Sequence, residues 1–183
     1  MDINTYDEYA DRYAQLIADD DKQTAFSLYH KLVMPKMREF IGDVEGLFVL
    51  DAGCGEGRLS RELCRKGAIV TGIDISPRLV DYARLRSLGL DVEYMVANLS
   101  KRLPEALEGK FDTVVANLVI DDVPDYKGFV ANLGLLAKPK GKVVLSKNNP
   151  YSAVMRGKAE RYFDSGNAVL YEGLSSAGVQ TDY

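Results

Sequence analysis

The sequence predicts an α/β fold, a doubly wound and mostly parallel sheet with helices on both faces. Three observations carry this. Phe48-Val49-Leu50 is a short apolar run, as in a strand covered on both faces, and Gly53, Gly55 and Gly57 follow it at alternate positions. Leu59 and Leu63 then stand four apart, the spacing of a helix face. Further apolar runs alternate with helical patterns to residue 146, which implies parallel strands in the order 3-2-1-4-5.

Each element has its own signal. Residues 4–18 read as a first helix, capped by Asn4 or Thr5, with Asp7 and Glu8 in its first turn. Tyr6, Tyr9, Tyr13 and Leu16 make its amphipathic stripe. Asp19-Asp20-Asp21 breaks the pattern, and a second helix spans about 24–40. Its apolar side holds Phe26, Tyr29, Leu32, Val33, Met37 and Phe40, and Pro35 is expected to kink or divide it. His30 lies beside that face and reads as a packing or surface residue.

The first strand enters the glycine turn, and Gly67 stops the helix that follows. Residues 68–74 give the second strand, ending on Asp74. Ser76-Pro77 offers a cap and a first-position proline for a helix over 77–88. Its apolar positions are Leu79, Val80, Ala83 and Leu85. Residues 91–96 alternate as a third strand, and 111–117 form the fourth. A helix over 126–137 places Phe129, Val130, Leu133 and Leu136 on one side. Lys138-Pro139-Lys140-Gly141 reads as a turn and 142–146 as the fifth strand. The chain is expected to be a single domain over 1–183, with a helical cap at 1–46, a cofactor-binding core at 47–147 and a tail at 148–183. That tail offers one short strand, Ala168-Val169-Leu170-Tyr171.

Composition narrows the function. A chain of 183 residues builds one domain with a sizeable core. A net charge of −4 without a long basic run does not suggest nucleic acid as a partner. Cys54 and Cys64 make neither a disulfide framework nor a metal cluster, so no metal is expected. No apolar run approaches membrane-spanning length, and the first residues are not a signal sequence, so the expected compartment is cytoplasmic.

The glycine turn points to a small polar cofactor, because strand, turn and helix N-terminus place free backbone N–H groups beside a ligand. The dinucleotide fingerprint G-x-G-x-x-G fails, since Arg58 stands where its third glycine belongs. Asp51 precedes the turn and Glu56 lies within it. Both repel a pyrophosphate. S-adenosyl-L-methionine carries an ammonium and a sulfonium, which nearby carboxylates favour. Two bland roles compete here: Glu56 reads best as a carboxylate favoured by the helix dipole, and Cys54 as a small buried thiol.

Asp51-Ala52-Gly53-Cys54-Gly55-Glu56-Gly57 fits acid-x-G-x-G-x-G at every fixed position. In this the sequence resembles the small, single-domain class I S-adenosylmethionine-dependent methyltransferases, over roughly residues 6–150. The resemblance implies a Rossmann-like sheet and cofactor contacts from Asp51, Gly53, Cys54 and Gly55. It places the ribose hydroxyls on Asp74 with Ile75 beside it, the adenine on Asn98 and Leu99, and a further contact at Asn117. Tyr9 and Tyr13 belong to a segment that in relatives covers the cofactor as a lid.

Residues 117–125 correspond to the segment that lines the methyl-transfer site, so Asp121 and Asp122 are the candidates for a substrate contact or general base. They depart from the Asn/Asp-Pro-Pro-aromatic motif of enzymes that methylate amino groups. Asn149-Pro150-Tyr151 follows the wrong strand to replace it. A small-molecule acceptor is the implied partner. Two alternatives stand beside an active enzyme: a non-catalytic cofactor-binding module or fragment that needs a partner, and an NAD(P)-dependent oxidoreductase, disfavoured by Arg58 and the acids.

The family normally carries two further strands after the fifth, and here they are expected to be missing, as in a C-terminally shortened methyltransferase. An uncovered sheet edge would then favour self-association or poor stability. Sedimentation tests this: a monomer with a cooperative, high-temperature melt would count against it.

Overall fold

The computed structural model describes residues 7, 10 and 11 and the continuous stretch 25–147, the side chains of 25–32 excepted. The first helix as a whole, Tyr9, Tyr13, the side chain of His30 and the short strand at 168–171 lie outside the described residues. The chain divides after Ser146 into two units, 1–146 and 147–183.

Five strands form one parallel sheet: β1 (Phe48–Ala52), β2 (Ile69–Asp74), β3 (Val92–Val96), β4 (Phe111–Asn117) and β5 (Ala137–Ser146). Their order is β3-β2-β1-β4-β5, as the alternation of strands and helices predicts. Helices α1 (Ala25–Ile41), α2 (Arg58–Arg65), α3 (Pro77–Arg86) and α4 (Tyr126–Leu136) cover it. Successive residues of a strand face opposite sides. Val49 of β1 packs with Met34, Met37 and Ile41 of α1 and Leu59 and Leu63 of α2. Its neighbour Leu50 packs with Phe129, Leu133 and Leu136 of α4. Both faces of β1 are therefore sealed, which explains its unbroken apolar run.

Three expectations are corrected, and of the two readings offered for Pro35 the division is excluded. Helix α1 runs through Pro35 undivided, held on either side of it by the buried Met34 and Met37. Phe40 is not core: it is exposed, with the Lys36 ammonium 5.8 Å from its ring centre. Leu85 and Val130 are likewise exposed, because only Leu79, Val80 and Ala83 of α3 and Phe129, Leu133 and Leu136 of α4 reach the sheet. Residues 138–141 do turn, with Lys140 at φ 65°, but they do so inside β5. Ala137 already pairs with Phe111, and pairing resumes at Thr113 with Lys142, so the turn is a bulge within the strand.

Side chains pin the ends of the elements. Lys142 of β5 donates to the carbonyls of Phe40 and Ile41, both at 3.0 Å, and so caps α1 beside Gly42. Ser76 caps α3 by accepting from the Leu79 N–H at 3.2 Å, with Pro77 at the first position, as the sequence predicts. Asp112 accepts from the Phe48 N–H at 2.9 Å and from the Lys138 ammonium at 2.8 Å, tying β1, β4 and β5 at the end of the sheet away from the glycine turn. Among the described residues no helix is long and apolar enough to cross a membrane.

Tyr94 of the edge strand β3 lies flat over Gly72 of β2. A Cβ on Gly72 would stand 2.7 Å from the tyrosine ring. Gly72→Ala is therefore expected to cost about 1–3 kcal/mol by overpacking. Urea denaturation reads this, and an unchanged midpoint would show that the ring yields without cost.

Candidate functional site

The site is built at the carboxyl ends of β1, β2 and β4, where the strand order reverses. Gly53, Gly55 and Gly57 take φ 77°, 53° and 79°, a left-handed run that other residues rarely adopt. The turn folds back on the end of β2. Gly53 and Cys54 both donate to the Ile73 carbonyl, at 2.7 and 3.0 Å. Gly55 donates to Asp74 Oδ2 at 2.8 Å, and Gly57 to the Cys54 carbonyl at 2.9 Å. The expectation of free N–H groups at these four positions is thus corrected. Buried donors need partners, and the protein supplies them itself.

The glycines also serve close packing. A Cβ on Gly53 would collide with the Val119 side chain, and one on Gly57 with the Tyr94 hydroxyl and with Ala83 Cβ. Cys54 points into the cluster formed by Val80, Ala83 and Tyr94. Burial pushes its thiol well above the ordinary range, so it stays protonated, and only its backbone belongs to the turn.

Three carboxylates crowd this turn, and they are not equivalent. Glu56 is 1% exposed, and its Oε2 accepts from Arg61 and Arg86, each at 2.8 Å. It precedes α2 and its cap Gly57, so the dipole reading is replaced by a buried, ion-paired carboxylate. Among the described residues, its Oε1 is the one buried side-chain atom without a hydrogen-bond partner.

Asp51 is 2% exposed and accepts from the Ser60 hydroxyl at 2.5 Å. Burial raises its carboxyl to about 6, the Ser60 bond opposes the rise, and the charge of Asp74 adds to it. Asp74 is 8% exposed, and burial raises it too, against the N–H bonds from Ser76 and Gly55. Among the described residues neither Asp51 nor Asp74 has a cationic partner.

The other predicted residues fall nearby in different roles. Ile75 is half-buried between Asp74 and the cap of α3. Asn98 Oδ1 accepts from the Ser100 N–H at 2.8 Å, closing the turn after β3. Leu99 is buried in the α4-side core, and its carbonyl accepts from Asn132 at 2.8 Å. Asn117 ends β4, and its Oδ1 accepts from the Ser146 hydroxyl at 2.8 Å. Asp121 and Asp122 stand exposed on a short 3₁₀ turn, Ile120–Asp122, beyond β4.

Sequence reasoning missed a set of contacts from the N-terminal segment. Asp7 Oδ1 accepts from the Ser76 hydroxyl at 2.8 Å and the Arg78 N–H at 2.9 Å. Asp11 accepts from Arg78 at 2.7 Å and from Tyr82 at 2.6 Å, and Ala10 between them is fully buried. The signal was present as acids four apart on a helix, but not the helix they would face. Val119 and Ser146 were missed as well, since nothing local distinguishes them.

Residues 50–145 match the family described as "Methyltransferase domain", and the match covers the glycine turn, Asp74 and β5 as far as Leu145. The chain belongs to the class I S-adenosylmethionine-dependent methyltransferases. A "Ubiquinone biosynthesis O-methyltransferase" from Xanthomonas euvesicatoria is 42% identical over 109 residues, 58% of this chain and 45% of the relative. The chain spans about half the length of the curated relatives it matches.

An S-adenosylmethionine-dependent methyltransferase from Mesorhizobium loti superposes with a TM-score of 0.59 at 25% identity, over 81% of this chain and 62% of that one. The magnesium protoporphyrin IX methyltransferase of Synechocystis PCC 6803, solved with bound SAH, shares the fold with a TM-score of 0.68 at 21% identity, over 91% and 79%.

The cofactor of this methyltransferase family is S-adenosylmethionine, and the site's chemistry fits it. Two buried carboxylates without cationic partners among the described residues suit a cationic ligand. The oxygens of Asp74 accept N–H bonds from Gly55 and Ser76, and a carboxylate has lone pairs for further donors. Among the described residues no group of three or more His, Cys, Asp or Glu is placed to hold a metal.

Burial of Asp51 has a consequence for this methyltransferase's pH response. The unfolded chain releases the Asp51 proton near 3.8, the folded chain only near 6. Between these values the folded state holds the extra proton, so its stability falls as pH rises from about 4 to about 6. Asp51→Asn removes that slope and is expected to gain up to about 3 kcal/mol over the parent at pH 7 relative to pH 4. Urea unfolding at several pH values reads the difference, and parallel curves would overturn it.

Proposed function

We propose that the chain transfers a methyl group from S-adenosylmethionine to a hydroxyl oxygen of a small molecule, of the class handled in ubiquinone biosynthesis. The observation that carries this is the pair Asp51 and Asp74, buried on either side of a glycine turn and without cationic partners among the described residues. Such a rim attracts a sulfonium and repels a diphosphate. That argues against a nicotinamide oxidoreductase. The curated relatives named for O-methylation support oxygen as the acceptor atom.

In this reading Asp74 accepts the ribose hydroxyls, and the loop of Asn98 and Leu99 meets the adenine. The glycine turn, with Asp51 behind it and Asn117 opposite, holds the methionine part. Bound there, the cofactor supplies a methyl already activated for in-line displacement. What remains for the protein is alignment and exclusion of water. With the cofactor held there, its carbon–sulfur bond would break as the oxygen–carbon bond forms, leaving the electron pair on sulfur. Asp121 or Asp122 takes the hydroxyl proton. The reaction is placed in the cytoplasm.

Calorimetric titration is the test. S-adenosylmethionine and S-adenosylhomocysteine should both give heat, and NADH none. Asp74→Ala should weaken binding roughly 10–100-fold, the loss expected for hydrogen bonds to a charged group. Heat with NADH alone would sink the reading. Binding without methylation of any hydroxyl acceptor would leave a cofactor-binding module rather than an enzyme.

A further inference from the structure

Asn117 and Ser146 are the last register pair of β4 and β5. Directly after them Leu118 takes φ 57°, one of two described residues other than glycine with positive φ. A left-handed leucine is unfavourable by itself, because its Cβ crowds the following carbonyl. The surroundings must therefore hold it. Ser146 is the residue placed to do so. Its hydroxyl donates to Asn117 Oδ1 at 2.8 Å and accepts from the Leu118 N–H at 3.1 Å. The same N–H also reaches the Ser146 carbonyl at 3.1 Å. Ser146 is buried, so these bonds compete little with water.

The left-handed residue has a geometric result. It turns the chain so that the Val119 side chain fills the space where a Cβ on Gly53 would stand. The Ile120–Asp122 turn, with its two acids, follows at once. One buried hydroxyl thus governs where the segment after β4 meets the glycine turn. The family match ends at residue 145, one position short of it.

We propose that Ser146 is a positioning residue: it holds Leu118 in the left-handed conformation that seats Val119 on Gly53, and so sets the β4 side of the cofactor crevice. This rests on the reading of that crevice as the S-adenosylmethionine site. Ser146 acts through Leu118 and Val119.

The test compares variants of the full chain by titration with S-adenosylhomocysteine, with thermal melts alongside. Ser146→Ala is expected to weaken binding about tenfold, the ratio that matches the cost of a left-handed leucine. Ser146→Thr keeps the hydroxyl and should bind as the parent does. The decisive variant is Ser146→Ala combined with Leu118→Gly, since glycine takes positive φ without support. It should recover parental affinity. Parental binding by Ser146→Ala overturns the proposal, and so does failure of the glycine to restore binding in a double variant that melts cooperatively. No heat from the parent chain removes the cofactor reading and this proposal together, whereas heat from the parent that Ser146→Ala leaves unchanged removes only this one.

Discussion

The hydrogen bond from the Gly55 N–H to Asp74 Oδ2 joins the two halves of the site. It ties the turn after β1 to the end of β2. Gly53 and Cys54 reinforce it by sharing the Ile73 carbonyl. The parallel register of Asp51 with Gly72 and of Ala52 with Ile73 brings these groups level. The turn therefore does not hang in solvent waiting for a ligand. It is closed against its neighbour strand, and the ligand-facing surface is what that closure leaves over.

The charge pattern follows from the same closure. Folding the turn inward buries Asp51, Glu56 and Asp74 together, and the charges of Asp74 and Glu56 add to the burial that raises Asp51. Among the described residues only Glu56 of the three is neutralised internally, by two guanidinium groups on Oε2. A buried ion pair of this kind adds little net stability, but removing one partner is costly. Glu56 is thus part of the scaffold, linking the turn to α2 and to the last turn of α3. Asp51 and Asp74 keep a local excess of negative charge, and a cationic ligand relieves it.

The glycines show where local reasoning reaches and where it stops. Three glycines in five residues after a strand do mark a backbone that must take positive φ. A ligand is one reason to exclude a side chain there, but at Gly53 and Gly57 the atoms in the way belong to Val119, Tyr94 and Ala83. Those residues lie far off in sequence, and no spacing rule connects them. Asn98 behaves similarly. Its side chain closes a turn on Ser100, the ordinary habit of an asparagine after a strand, whatever its backbone offers a ligand.

By itself the sequence determined the fold class, the strand order, the cap at Ser76, the family, and the identity of the acids around the turn. These rest on periodicity and short-range chemistry, which act within a few residues of the chain. Only the tertiary structure decided which acids are paired, that the turn's N–H groups are used internally, and that residues 138–141 turn inside a strand. It alone placed Asp7 and Asp11 on α3, and Ser146 beneath Leu118. Each of these depends on two segments distant in sequence meeting in space, and on burial making their polar groups find partners.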